Sequence, residues 1–192
     1  YRGYVYPVIG LSPQKAMVQE NIEEDIRLVR QNPDVLAIGE IGLDYHWAKT
    51  EVEKELQRKT FNAFLDLALE MNLPVVIHSR DSHEEMIQTL VDKKIKKAML
   101  HCFAGDEKVA KTAVENNYVI SIPPIPSKNR KKVIKAVDLS FLVTETDAPA
   151  IGREPLDVAK SAEMIAKAKG VSVGEVAERT RENAIKFFSL KL

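Results

Sequence analysis

Short apolar runs with no polar alternation recur along this chain, and they leave few folds open to it. Val35–Ile38, Pro74–Ile77, Ala98–Leu100, Tyr118–Ile122 and Phe141–Val143 are of this kind. Such runs read as strands buried on both faces, the pattern of a parallel sheet covered by helices. Tyr4–Gly10 reads as a further strand, left through a loop that holds Ser12 as a turn hydroxyl. Between the runs lie stretches of helical periodicity. Asn21–Gln31 carries Ile22, Ile26 and Val29, and Glu51–Asn72 carries Phe61, Phe64, Leu65, Leu67 and Ala68. Ser82–Val91, Asp106–Asn116, Lys128–Ala136 and Pro155–Lys169 follow, then Ser172–Phe188 with Ser172 as N-cap and Glu175 in the capping-box position. Strand–helix alternation without a break in composition predicts an α/β fold in one domain over residues 1–192.

Composition narrows the function. The 28 basic and 28 acidic residues cancel, so no global field draws in a polyanion. Any nucleic-acid contact must come from a local patch or from metal ions. The single cysteine, Cys102, excludes an intrachain disulfide and a cysteine-based zinc cluster, and a reducing cytoplasm is the simple reading. Cys102 itself reads as a small buried hydrophobe. No run approaches the length of a membrane span, so no membrane association is expected. The chain opens on Tyr1 and enters an apolar strand almost at once, which suggests that an N-terminal portion precedes it.

The strands share one feature: Glu40, His78, His101 and Asp147 stand where four of them end. A carboxylate at the end of a buried strand needs a partner, and a bound cation is the strongest one. Glycines flank Glu40 and leave room for a ligand or another backbone to approach. Metal-capable groups at the same edge of successive parallel strands are how a (β/α) barrel builds a site at its C-terminal face. Mixed imidazole and carboxylate donors suit Zn²⁺, Mn²⁺ or Fe²⁺ and admit Mg²⁺. Two ions about 3.5–4 Å apart can activate water and clamp the oxygens of an in-line displacement at phosphorus. Glu145 lies on Asp147's face by strand period, and pairing with a lysine would equally explain it.

These segments resemble a known family, the TatD-type metal-dependent deoxyribonucleases among the amidohydrolase-like barrels. The matching motifs are Ile38-Gly39-Glu40-Ile41-Gly42-Leu43-Asp44-Tyr45, Val76-Ile77-His78-Ser79-Arg80-Asp81, His101-Cys102-Phe103-Ala104-Gly105 and Thr144-Glu145-Thr146-Asp147-Ala148-Pro149. They come in family order from about Val8 to Phe188. The resemblance implies a TIM-like barrel and two divalent ions, Mg²⁺, Mn²⁺ or Zn²⁺. Glu40 would touch both ions, His78 and His101 would hold one, and Asp147 the other. It also implies hydrolysis of nucleic-acid phosphodiesters, often by an exonuclease on single-stranded ends.

There are departures. The family's first strand carries a His-x-His pair, and none stands here. Six strands are expected where the barrel needs about eight, so the barrel is read as incomplete at its N-terminus. The usual Gly-x-His-Pro appears as Gly10-Leu11-Ser12-Pro13, and the path after Pro149 is shorter than the family commonly shows.

The resulting expectation is a monomeric cytoplasmic hydrolase acting on DNA, with RNA as an alternative. Glu40 and Asp147 are the catalytic candidates, and Asp44 is expected to support a ligand or the loop. Arg80 could neutralise the phosphate or pair with Asp81 or Asp44. Lys128 and Arg130 could contact phosphates or lie on a solvated helix face, and the Lys93–Lys97 connection reads as solvated surface. Tyr45 and Trp47 could stack on a base or simply pack. Two rivals remain: a related metal hydrolase acting on a small amide or ester, and an incomplete barrel that binds nucleic acid without turnover.

Overall fold

The computed structural model describes residues 5–19 and 21–191. Six strands alternate with helices among them: β1 (Val8–Ile9), β2 (Ala37–Asp44), β3 (Val75–Arg80), β4 (Ala98–Leu100), β5 (Val119–Ile122) and β6 (Leu142–Thr144). The helices are α1 (Pro13–Ala16), α2 (Glu23–Arg30), α3 (Glu51–Met71), α4 (His83–Asp92), α5 (Glu107–Glu115), α6 (Lys128–Ala136), α7 (Val158–Lys169) and α8 (Val173–Phe188). The described residues up to Met99 form one compact unit and Leu100–Lys191 a second. No helix among the described residues is long and apolar enough to cross a membrane.

In the first unit β1 pairs parallel to β2, and β2 parallel to β3. The core is formed by Ala37, Ile38, Ile41, Leu43, Val75 and Ile77 on the strands, all fully buried. Helix α3 covers β2 through Phe61, Phe64, Leu65 and Leu67. Its start is fixed by a capping box: Thr50 accepts from the Glu53 amide while Glu53 accepts from the Thr50 amide. Asn72 ends it in the left-handed conformation. In the second unit β5 and β6 pair parallel, and α8 packs on β6 and α7. Asn183 of α8 donates to the carbonyls of Leu139 and Leu142, fixing the entry to β6. Ser172 caps α8 by accepting from the Glu175 amide.

Three expectations are corrected. Tyr4 lies outside the described residues, and Val5 to Pro7 are not strand, so the first strand is only Val8–Ile9. Pro13 opens a short helix instead of closing a loop. Most consequentially, β2 does not stop at Glu40. A register shift between Ile38 and Ile41 lets it continue against β3 to Asp44, paired with Arg80. Glu40 is therefore a mid-strand residue, and β3 likewise runs two residues past His78.

The two glycines around Glu40 are needed for a neighbouring backbone. Gly42 has φ +145°, and a Cβ there would meet the His78 carbonyl oxygen at 2.0 Å. A Cβ on Gly39 would meet Val76 at 2.7 Å. The small residues let β2 and β3 close up where they carry Glu40 and His78.

Candidate functional site

In the first unit His78 is held between two carboxylates. Its Nδ1 lies 2.6 Å from Glu40 Oε1 and its Nε2 2.8 Å from Asp44 Oδ2. Burial pushes the imidazole pKa down, but Glu40 and then Asp44 outweigh this, and the net shift is upward. The two carboxylates differ in how they are held. Asp44 is 1% exposed, and its Oδ2 also accepts from Gln14 Nε2 at 2.8 Å. Its Oδ1 accepts from the amides of His46 and Trp47 at 3.1 and 3.3 Å. A carboxylate offers about four acceptor positions, and these four donors use them. Gln57, fully buried on α3, fixes the same residue through its backbone. Its Oε1 accepts from the Asp44 amide at 2.8 Å, and its Nε2 donates to the carbonyls of Asp44 and Pro13.

The second unit repeats the arrangement. His101 Nδ1 lies 2.5 Å from Glu145 Oε2, and its Nε2 3.5 Å from Asp147 Oδ1. Glu145 also accepts from the Cys102 amide at 2.7 Å. Cys102 and Asp147 both have left-handed backbones, φ 46° and 50°. Non-glycine residues pay for that conformation, and it persists where surrounding contacts impose it. Cys102 is half-buried rather than fully buried.

These pairs fit divalent ions in a specific way. A histidine that binds an ion through one nitrogen ordinarily donates its other N–H to a carboxylate. Asp44 fills that role for His78, leaving Nδ1 toward Glu40. Glu145 fills it for His101, leaving Nε2 toward Asp147. Two donors each roughly 2.1 Å from one ion stand about 3–3.5 Å apart, and the His101–Asp147 separation of 3.5 Å matches. Glu40 and His78 are at hydrogen-bond distance and would part slightly around an ion. Among the described residues no group of three or more histidine, cysteine, aspartate or glutamate side chains is gathered as a ready metal site. The donors stand as two pairs, one in each unit.

Asp44, read from sequence as support for a ligand or the loop, contacts His78 Nε2. Arg80 is exposed at the end of β3, and Asp81 is engaged instead by His46 Nδ1 at 3.8 Å. Lys128 is exposed at the start of α6.

Two substrate-contact expectations are corrected. Arg130 is buried, and its guanidinium donates to the carbonyls of Ile125 and Phe103. Burial lowers its pKa, as expected for a cation used as internal scaffolding. Arg130→Met should leave both carbonyls short of a donor and cost about 1–3 kcal/mol in urea unfolding. Tyr45 does not offer a free ring. Lys54 and Arg58 lie over it at 5.0 and 5.7 Å, and burial followed by Glu85 pushes its hydroxyl pKa up to about 12. Trp47, 55% exposed with its ring edge-on to His46, is the accessible aromatic.

Glu145, Gln14 and Gln57 were not singled out as site residues from sequence. Glu145 had a signal, its two-residue spacing from Asp147. Gln57 had one too, as a polar residue four positions before Phe61 on the buried face of α3. Gln14 had none. Replacing Gln14 with leucine should leave Asp44 Oδ2 with His78 as its one remaining side-chain donor and weaken divalent-ion affinity about 10–100-fold, readable by competition with a chromophoric chelator.

The fold and these segments have known counterparts. The TatD related DNase family matches residues 1–189. The chain is 37% identical over 98% of its length to human "Deoxyribonuclease TATDN3", spanning 76% of that protein. It is 34% identical over 97% of its length to the Bacillus subtilis "Uncharacterized metal-dependent hydrolase YabD", spanning 78% of it. The crystal structure of YJJV, a TatD homolog from Escherichia coli K12, superposes with a TM-score of 0.87 at 25% identity. That match covers 97% of this chain and 77% of the bacterial one. The six parallel strands and their helices are thus those of a TatD-type TIM barrel, and the chain belongs to the TatD related DNase family.

Proposed function

We propose that this chain hydrolyses nucleic-acid phosphodiesters, preferably single-stranded DNA from an end, with two divalent ions ligated by Glu40, His78, His101 and Asp147. The observation that supports this reading most is the duplicated carboxylate–histidine–carboxylate arrangement. In each copy one carboxylate is tied to other donors, so the ring is oriented and its second nitrogen faces a carboxylate. When bound, Mg²⁺, Mn²⁺ or Zn²⁺ would supply activation of water and neutralisation of phosphate charge.

The chain's own groups do the rest. Asp147 orients the attacking water and takes its proton. Arg80, exposed two residues beyond His78, receives a phosphate oxygen by a charge-assisted hydrogen bond. Trp47 offers a face for a base to stack on, worth about 1–3 kcal/mol per base. Asp44 and Glu145 keep the two imidazoles in one tautomer each. The names of the relatives, a deoxyribonuclease and a metal-dependent hydrolase, agree with this chemistry.

The test is to strip the protein of metal and add Mg²⁺, Mn²⁺ or Zn²⁺ in turn to end-labelled single-stranded DNA. Cleavage is expected only with an added ion. Undiminished cleavage in excess chelator would remove the proposal.

A further inference from the structure

Helix α6 presents Lys128, Lys131, Lys132 and Lys135, all exposed, at offsets of three, four and seven residues. That spacing puts four ammonium groups on one helix face, and α6 carries no carboxylate to balance them. The opposite face, Arg130, Val133 and Ile134, is buried. The stripe works against the helix that bears it. Like charges at these spacings repel, and Lys128 and Lys131 sit in the first turn, where the helix dipole is already positive. In a chain of formal net charge +0, such a concentration is a local choice made against helix stability.

The helix is also tied to the segment that carries His101. Asn129 donates from Nδ2 to the Gly105 carbonyl at 2.8 Å, and Arg130 donates to the Phe103 carbonyl at 3.2 Å. The N-terminal end of the stripe therefore adjoins the loop that begins with a proposed ion ligand.

We infer that the exposed face of α6 is a backbone-binding track for single-stranded nucleic acid, holding phosphates of the strand whose end is cleaved. The inference rests on the nuclease reading and adds to it a remote subsite. A polyanion fits this face better than a membrane surface does. Interfacial helices need an exposed apolar side, and the apolar side of α6 is turned into the fold. A row of lysines reads charge without sequence, so the track should bind all single strands alike.

The experiment measures binding of a labelled thymidine oligonucleotide in chelator, so that nothing is cut, across a series of salt concentrations. Four lysines released from phosphates should flatten the dependence of log K on log salt by about 2–3, at roughly 0.7 per contact on a single strand. The variant carrying Lys128→Gln, Lys131→Gln, Lys132→Gln and Lys135→Gln should show that loss and bind at least tenfold more weakly at low salt. Single Lys131→Gln and Lys132→Gln variants should each flatten the slope by about 0.7. Lys94→Gln with Lys96→Gln, exposed lysines elsewhere, should leave it in place.

A slope unaltered by the four substitutions overturns the track, as does an equal loss in the Lys94/Lys96 control. Loss of binding to phosphatidylserine vesicles with the DNA slope intact would make the face a membrane contact and also overturn it. Metal-dependent cleavage by wild type and by Glu40→Ala, measured separately, judges the nuclease reading itself.

Discussion

Replacing Glu40 with alanine is expected to slow ion-dependent cleavage of single-stranded DNA by at least about a thousandfold, roughly 4 kcal/mol in the barrier. The size of the effect follows from position. Glu40 is the carboxylate against His78 Nδ1, the nitrogen left over when Asp44 has taken the other one. Alanine there removes a proposed ligand and leaves the imidazole with Asp44 as its remaining carboxylate. The fold should tolerate the change, because the Glu40 side chain is 35% exposed. Thermal unfolding of the variant is expected within a few degrees of wild type, which separates a lost site from a lost structure. A single-turnover rate within tenfold of wild type would deny Glu40 its role.

The largest stability effect is expected at Gly42. A Cβ at this residue would sit 2.0 Å from the His78 carbonyl oxygen and 3.1 Å from its amide nitrogen, with φ at +145°. Neither partner can rotate away, since both are backbone within a parallel pairing that places Gly42 opposite His78. Relief requires β2 and β3 to move apart, opening the contact between Ile41 and Ile77 and shifting His78. Backbone strain and lost packing together should cost about 3–5 kcal/mol. At about 2–4 °C per kcal/mol for a chain of this size, Gly42→Ala should lower the melting temperature by roughly 10 °C or more. A drop of less than about 2 °C would show that the strands can separate at this point without penalty.

Where the sequence spoke clearly, burial and local chemistry agreed. The strands were legible because residues such as Val75, Ile77, Ala98 and Leu100 have no polar alternative in their runs. The cap of α8 was legible because a hydroxyl three residues before a glutamate has a local meaning independent of tertiary context, and the same signal at Thr50 and Glu53 went unread. The end of β2 was missed because a carboxylate inside an apolar run looks like a terminus. Nothing local announces a register shift that carries the chain on through Ile41 and Leu43.

Arg130 shows a readable signal overlooked. It shares a helix face with Val133 and Ile134, so its spacing pointed inward although its charge suggested water. Tyr45 is a different case: the cations that cover its ring come from α3, and only the folded structure brings them together. The Gln14–Asp44 contact spans thirty residues and no periodicity encodes it. His78 and His101 were read as strand-end donors, although β3 runs on to Arg80, and Asp44 was read as a supporting carboxylate, whereas the place of Glu145 depended on the backbone path after β6.

Anomalous diffraction from crystals soaked in Mn²⁺ or Zn²⁺ bears most directly on the chemistry proposed for these residues. Peaks are expected at roughly 2.0–2.2 Å from His78 Nδ1, His101 Nε2 and the carboxylates of Glu40 and Asp147, with Asp44 and Glu145 hydrogen-bonded to the far nitrogens of the imidazoles. Ions absent from all four residues, or bound through Asp44 and Glu145 instead, would contradict it.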